Sequence, residues 1–579
     1  MPPFSLFARS VLGIVACSLV SIAQPTAAGP RSNSRTGTAP VVQVHNGSYY
    51  GIHNAAYKED LFLGIPFAQP PVGALRYQNP QPLNTTWSGT KNATQYSAEC
   101  WGFGSDDWVL GNPVSEDCLT LNVVRPAGVA ADQKLPVAVW IYGGGFFNGG
   151  SLDPRYNLSF IVERSVAMNK PMIGVSLNYR LQGLGALFSN EMLDAGVANL
   201  GLKDQRLALA WLHENIGAFG GDPSKVTIWG ESAGASSVGW QLVAYGGRDD
   251  GLFRAAIEES GGPVDTKPVL TADDWQPFYD NITAAVGCGA TVTSDSLACL
   301  RGVPIATLAA VLNSSVTAGV PSWGGSVDGD FLPNKTTALL LSGQFARVPL
   351  LHGRNHDEGT MFATQGINTS QEFVADVVDA GFSNETAATI AILYPDIPGV
   401  GIPATLDGRP TGADAYLGHQ WKRSAAFSGD LVQHAPRRLI SQTYARFNVS
   451  SWSYVFNVLV HGLSPVADGA THFQEVAFVF DNTQGLGYDT VVAQDPFEGE
   501  PETFDELAKI MSSMWVSFVV EGDPNCSGAT DVHWPVYTLD EPYNILFDVN
   551  ITGLVRAEPD DYRAAQIQYL QEEMISTFG

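Results

Sequence analysis

The sequence predicts an α/β fold, a large and mostly parallel sheet with helices on both faces, and three observations carry that expectation. Leu135–Tyr142 (LPVAVWIY), Pro171–Leu177 (PMIGVSL) and Val226–Trp229 (VTIW) are continuous apolar runs that end in loops. A strand that is apolar on both sides must be covered on both faces, as in a parallel sheet. Between the last two runs, Asp204–Phe219 (DQRLALAWLHENIGAF) places Leu207, Ala210, Trp211 and Ala218 at helical spacing, and Gly220-Gly221-Asp222-Pro223 stops it. Strand, helix, strand in that order is the unit of a doubly wound sheet.

Taken from the N-terminus, residues 1–28 read as a secretory signal. Arg9 precedes an apolar run, Val11–Ala23, and small residues suit cleavage after Ala23 or Ala28. That run is shorter than the roughly 20 residues a membrane span needs. Residues 29–40 read as a flexible segment, and 41–579 as a single domain, because no hinge, repeat or charge block divides them. The length of 579 residues suggests about four domains by simple division, but insertions around a single sheet account for it, and one large domain is expected.

Export agrees with two further patterns. Twelve Asn-x-Ser/Thr sequons occur, at Asn46, Asn84, Asn92, Asn157, Asn281, Asn313, Asn334, Asn368, Asn384, Asn448, Asn525 and Asn550. Of the six cysteines, Cys17 leaves with the signal, while Cys100 with Cys118 and Cys288 with Cys299 are close enough for two short-loop disulfides. Cys526 is left over, as a buried free thiol or an interchain partner.

Charge excludes whole classes of function. With 31 Lys+Arg against 58 Asp+Glu the net charge is −27, and loss of Arg9 makes it −28. A surface this acidic repels phosphate backbones, so nucleic-acid binding is excluded. Neither C-x-x-C nor H-E-x-x-H spacing occurs, and the sequence calls for no metal or organic cofactor.

Chemistry begins at Gly230-Glu231-Ser232-Ala233-Gly234, which follows the strand VTIW and precedes a small, apolar stretch (ASSVGWQLV) able to form a helix. Glycines on both sides of the serine permit a tight, strained turn that lifts its hydroxyl above the sheet edge. The helix that follows aims backbone N–H groups at the same place. Gly143-Gly144-Gly145-Phe146, after the strand VAVWIY, offers further amides to a carbonyl oxygen that gains negative charge.

EDCLTLNVVRP (Glu116–Pro126), the GGGF segment, NLGLKDQRLALAWLHENIGAFGGDP (Asn199–Pro223) and VTIWGESAGA together resemble the type-B carboxylesterase/lipase family, which includes the cholinesterases, and in particular its secreted fungal members. The resemblance runs from about Val41 to the C-terminal region. It implies an α/β-hydrolase fold, a Ser-Glu-His triad and ester hydrolysis through an acyl-enzyme, with Gly144, Gly145 and Ala233 as oxyanion donors. GRNHDEGTMF (Gly353–Phe362) matches the family's acid segment and selects Glu358, although the residues alone leave its neighbour Asp357 open. GATHFQEVAFVF resembles the catalytic histidine loop and selects His472, while His461 at the end of SYVFNVLVHG remains the rival. Glu231, beside the nucleophile, is expected to be structural.

The resemblance also matches Cys100–Cys118 to a disulfide that closes a flap over the substrate entrance. Only 17 residues lie between them here. A short flap favours a soluble-ester enzyme over the alternative, a lipase or sterol esterase working at lipid surfaces. A non-catalytic adhesion protein is disfavoured because all three triad positions are intact. Trp101, Trp108, Phe146, Phe147 and Trp323 are candidate pocket walls, each with simple packing as the competing role. The expected partner is a small-molecule or lipid ester.

Overall fold

Among the described residues eleven strands make one sheet: β1 (Ile52–Asn54), β2 (Glu59–Pro66), β3 (Thr120–Pro126), β4 (Leu135–Ile141), β5 (Ile173–Leu177), β6 (Gly221–Glu231), β7 (Ala255–Glu259), β8 (Leu350–Asn355), β9 (Ser451–Phe456), β10 (Tyr543–Phe547) and β11 (Val555–Pro559). Their spatial order is β1-β2-β3-β5-β4-β6-β7-β8-β9-β10-β11, chain order apart from one exchange. Pairing is parallel from β5 through β10 and antiparallel at both margins. This computed structural model describes residues 39–103, 111–289, 295–320, 322–397, 399, 406–488, 490 and 493–579. The signal segment 1–28, most of the flexible segment 29–40 and Trp108 lie outside the described residues.

The three apolar runs become β4, β5 and the second half of β6, and every residue of β4 and β5 is buried. Two-sided burial follows from two helical layers. Helix α1 (Ser159–Ala167) packs on β3 and β5 and against α6 (Thr503–Glu521), whereas α2 (Leu200–Asn215) and α3 (Ala233–Gly247) pack on each other and on β6. Helix α2 starts four residues before the expected Asp204 and passes into a 3₁₀ turn at Ile216–Phe219. A second, smaller apolar cluster gathers Trp275, Tyr279, Leu308 and Trp323 beside the sheet core, and Phe146 packs against both.

Both expected disulfides form, Cys100–Cys118 and Cys288–Cys299. Cys526 is free and exposed, which corrects the buried alternative. None of the twelve sequon asparagines is buried. The C-terminal ends of β4, β6, β7, β8 and β9 share one sheet edge, where α/β folds place their chemistry.

Candidate active site

At the end of β6 the chain turns sharply into α3, and Ser232 at the turn has φ 56° and ψ −121°. A non-glycine residue in that region costs about 1–3 kcal/mol and persists only where its surroundings impose it. Here they do. A Cβ on Gly230 would lie 2.5 Å from Gly234 C, and one on Gly234 would run into Ile141 O. The Ser232 N–H donates to Glu259 O at the end of β7 (2.9 Å), pinning the turn to the next strand.

The glycine loop after β4 lies against this turn. A Cβ on Gly143 would stand 2.6 Å from Glu231 O and 3.0 Å from the Ser232 Cβ, so only glycine permits the approach. Gly144 and Gly145 have φ of 88° and 61°, and among the described residues no hydrogen bond uses their N–H groups. Ala233 opens α3, where the first amides have no partner within the helix.

Glu358 and His472 meet at the same edge. Glu358, in the turn after β8, accepts from Ser260 Oγ (2.5 Å) and Asn355 N (2.7 Å) through Oε1, and its Oε2 lies 2.6 Å from His472 Nδ1. Both side chains are buried. Asp357 points elsewhere: its Oδ2 accepts from Ala470 N (2.8 Å) and shapes the loop that carries His472. His461 is at the surface, 3.7 Å from Glu498.

Nε2 of His472 lies 3.1 Å from Glu231 Oε1. Among the described residues no hydrogen bond joins it to Ser232 or to Glu231, whose Oε1 has no hydrogen-bond partner, so the carboxylate acts on the ring as a neighbouring charge. Contacts between base and nucleophile often tighten only when substrate is bound. Glu231 thus stands as a buried charge beside the imidazole. Burial pushes its carboxyl up to about 8, against the attraction of His472. Burial would lower His472, but Glu231 and then Glu358 overcome it and hold the imidazole above its ordinary value. Glu475, 2.6 Å from Asn355 Nδ2, is pushed up to about 7 by burial and then by Glu358.

Ser260, Asn355 and Glu475 were missed by sequence reasoning. The available signal was position: Asn355 ends β8 and Ser260 follows β7, at the edge that bears the site. Among the pocket candidates, Phe146 is half-buried and stacks on Trp240 (5.3 Å, 19°), a residue not singled out from sequence. Phe147 is exposed and Trp101 half-buried beside Phe103. Trp323 packs on Trp275 (5.6 Å) in the smaller cluster with 1% exposure, so it is core there and presents no open wall.

Among the described residues no helix is long and apolar enough to cross a membrane. Residues 38–565 match the carboxylesterase family. The chain is 37% identical to Secreted lipase 1 of Botryotinia fuckeliana over 93% of its own length and 94% of that protein's. It is 34% identical to Lipase 4 of Diutina rugosa, covering 91% and 95% of the two chains. Among solved structures, the crystal structure of Aspergillus niger EstA superposes with a TM-score of 0.78 at 26% identity, over 93% of this chain and 99% of that one. The chain belongs to the carboxylesterase family and is a secreted carboxylic-ester hydrolase with the α/β-hydrolase fold.

Proposed function

We propose that Ser232, His472 and Glu358 form the catalytic triad, with the N–H groups of Gly144, Gly145 and Ala233 as the oxyanion hole. The observation that carries this is the 2.6 Å pairing of His472 Nδ1 with the buried Glu358, on the sheet edge that also presents the strained Ser232. Ser232 Oγ attacks the ester carbonyl carbon as His472 Nε2 takes its proton. The carbonyl oxygen becomes an oxyanion, met by the three amides, each worth about a hundredfold or more in rate. Collapse breaks the C–O bond, the leaving alcohol takes the proton from His472, and water repeats the sequence to release the acid. Glu358 fixes the imidazole tautomer and stabilises its cation.

We further propose that residues 41–579 act as one catalytic domain behind a cleaved signal in 1–28, with glycans on the exposed sequons. For the substrate, the 17 residues between Cys100 and Cys118 support soluble esters. A second reading, lipid-interface esters, is favoured by relatives named as lipases. Rates on p-nitrophenyl esters of increasing chain length, with and without an oil–water interface, separate them. The first reading expects short-chain preference without interfacial activation. A marked rise in rate at the interface on long chains would overturn it.

A further inference from the structure

The catalytic-acid turn leans on a helix that is not regular. Between α4 (Trp421–Gly429) and α5 (Ala435–Arg446), residues Asp430–His434 form a π-turn, closed by Ala435 N–H donating five residues back to Asp430 O. A π-turn inserts a residue into the helix and is frequent at functional sites. Because its residues are wound less tightly than those of an α-helix, consecutive side chains can face the same side.

Gln433 and His434 do so. Gln433 Nε2 donates to Ser260 O (2.8 Å), and Ser260 is the residue whose hydroxyl holds Glu358. His434 Nδ1 accepts from Arg354 Nε (2.6 Å), which leaves the proton on Nε2 to be given to His356 O (3.2 Å), two residues before Glu358. Both side chains are buried. A Cβ on Gly359, the residue after Glu358, would run into Ala425 O and Gly429 N, so the acid turn also sits directly on the last turns of α4.

We infer that Gln433 and His434 are positioning residues for the catalytic acid. The π-turn delivers two adjacent donors to the carbonyls on either side of the Glu358 site, fixing where its carboxylate meets His472. This rests on the proposed triad. Neither residue hydrogen-bonds His472; the charged groups that face His472 are Glu231, Glu358 and Glu475, with Arg155 acting on Glu231, and those around His434 are Asp430, Arg354, His356, Arg563 and Arg437.

The test compares Gln433→Met and His434→Leu, which remove the donors while keeping bulk, with His434→Gln, whose amide can still donate, and with Glu358→Gln. Each is assayed for kcat, KM and the acid limb of kcat/KM on p-nitrophenyl butyrate, and for Tm. The expected result for Gln433→Met is a kcat lower by about tenfold with KM within about twofold, the scale set by slight misplacement of a catalytic group. Its acid limb is expected to move to lower pH, because a displaced Glu358 supports the imidazolium less. His434→Leu is expected to behave likewise and His434→Gln to recover most of kcat. If Gln433→Met and His434→Leu lower only Tm, with kcat and the acid limb of the parent, the inference is overturned while the triad stands. If Glu358→Gln also keeps full kcat, the triad reading itself fails.

Discussion

Two buried charge clusters in this molecule answer desolvation in opposite ways. Near the C-terminus Asp560 is ringed by donors: Arg437 at 2.5 and 2.7 Å, Arg438 at 2.9 and 3.0 Å, Tyr537 Oη at 2.9 Å and Asn544 Nδ2 at 3.1 Å. Burial alone would raise its carboxyl, but Arg437 and then Arg438 hold it well below the usual range. At the proposed active site, Glu231, Glu358 and Glu475 surround a single imidazole, and the guanidinium that acts on Glu231, Arg155, is already paired with Asp153 at 2.6 Å. There burial prevails, and Glu231 and Glu475 move up. Equal burial therefore sets no direction by itself; the count of opposing charges does. One cluster ties elements together, while the other keeps protons exchangeable near neutral pH, as acid–base catalysis requires.

The largest expected effect tests whether the under-compensated corner exists for chemistry. Ser232→Ala is expected to lower kcat/KM by about 10⁴-fold or more, while Tm stays near that of the parent because no buried charge is disturbed. Steady-state assays beside a thermal melt decide it. Activity retained on every ester would remove the catalytic meaning of the corner and reduce the contrast to one of packing.

The next effect is on stability. Asp560→Asn leaves two buried guanidinium groups without their counter-charge, and removing one partner of such a pair costs about 3–5 kcal/mol. Urea unfolding should show that loss, with kcat per folded molecule unchanged. The pH dependence has a definite sign: because the folded value of Asp560 is depressed, its contribution is complete above the unfolded value of about 3.9 and is lost as pH falls toward the folded one. A neutral outcome would show that the knot is no more consequential to folding than the active-site carboxylates.

Legibility in the sequence followed range. The apolar runs of β4, β5 and β6 were readable because two-sided burial is a property of consecutive residues. The start of α2 was not, since Leu200–Lys203 are buried by neighbours and the helix begins after Asn199 in the left-handed region (φ 55°). Ser232 was readable because the glycines that force its turn are two residues away. Glu358 and Asp357 were not separable without resemblance, because what divides them is the direction each points from one turn. Ser260, Glu475 and Gln433 were invisible: the bonds that give them meaning span 98, 215 and 173 residues. The place of Trp323 in the smaller cluster likewise depends on Trp275, and no local pattern reports it.

The smallest expected effect sharpens the comparison most. Activity requires neutral His472, whose value is held above the ordinary imidazole range by Glu231 and Glu358 despite burial, so kcat/KM should fall as pH drops through that raised value. Glu231→Gln removes one of the two carboxylates in contact with the ring, keeps its shape, and should move the acid limb down by about one pH unit, equivalent to about 1.4 kcal/mol. Because burial also pushes Glu231 itself up to about 8, the proton that silences the enzyme is linked to one on Glu231, whose Oε1 lies 3.1 Å from Nε2 without a hydrogen bond between them. An acid limb that does not move would place that proton on Glu231 throughout the working range. The carboxylate would then be a neutral acid facing the base, and the corner would be balanced by protonation as fully as Asp560 is balanced by arginine.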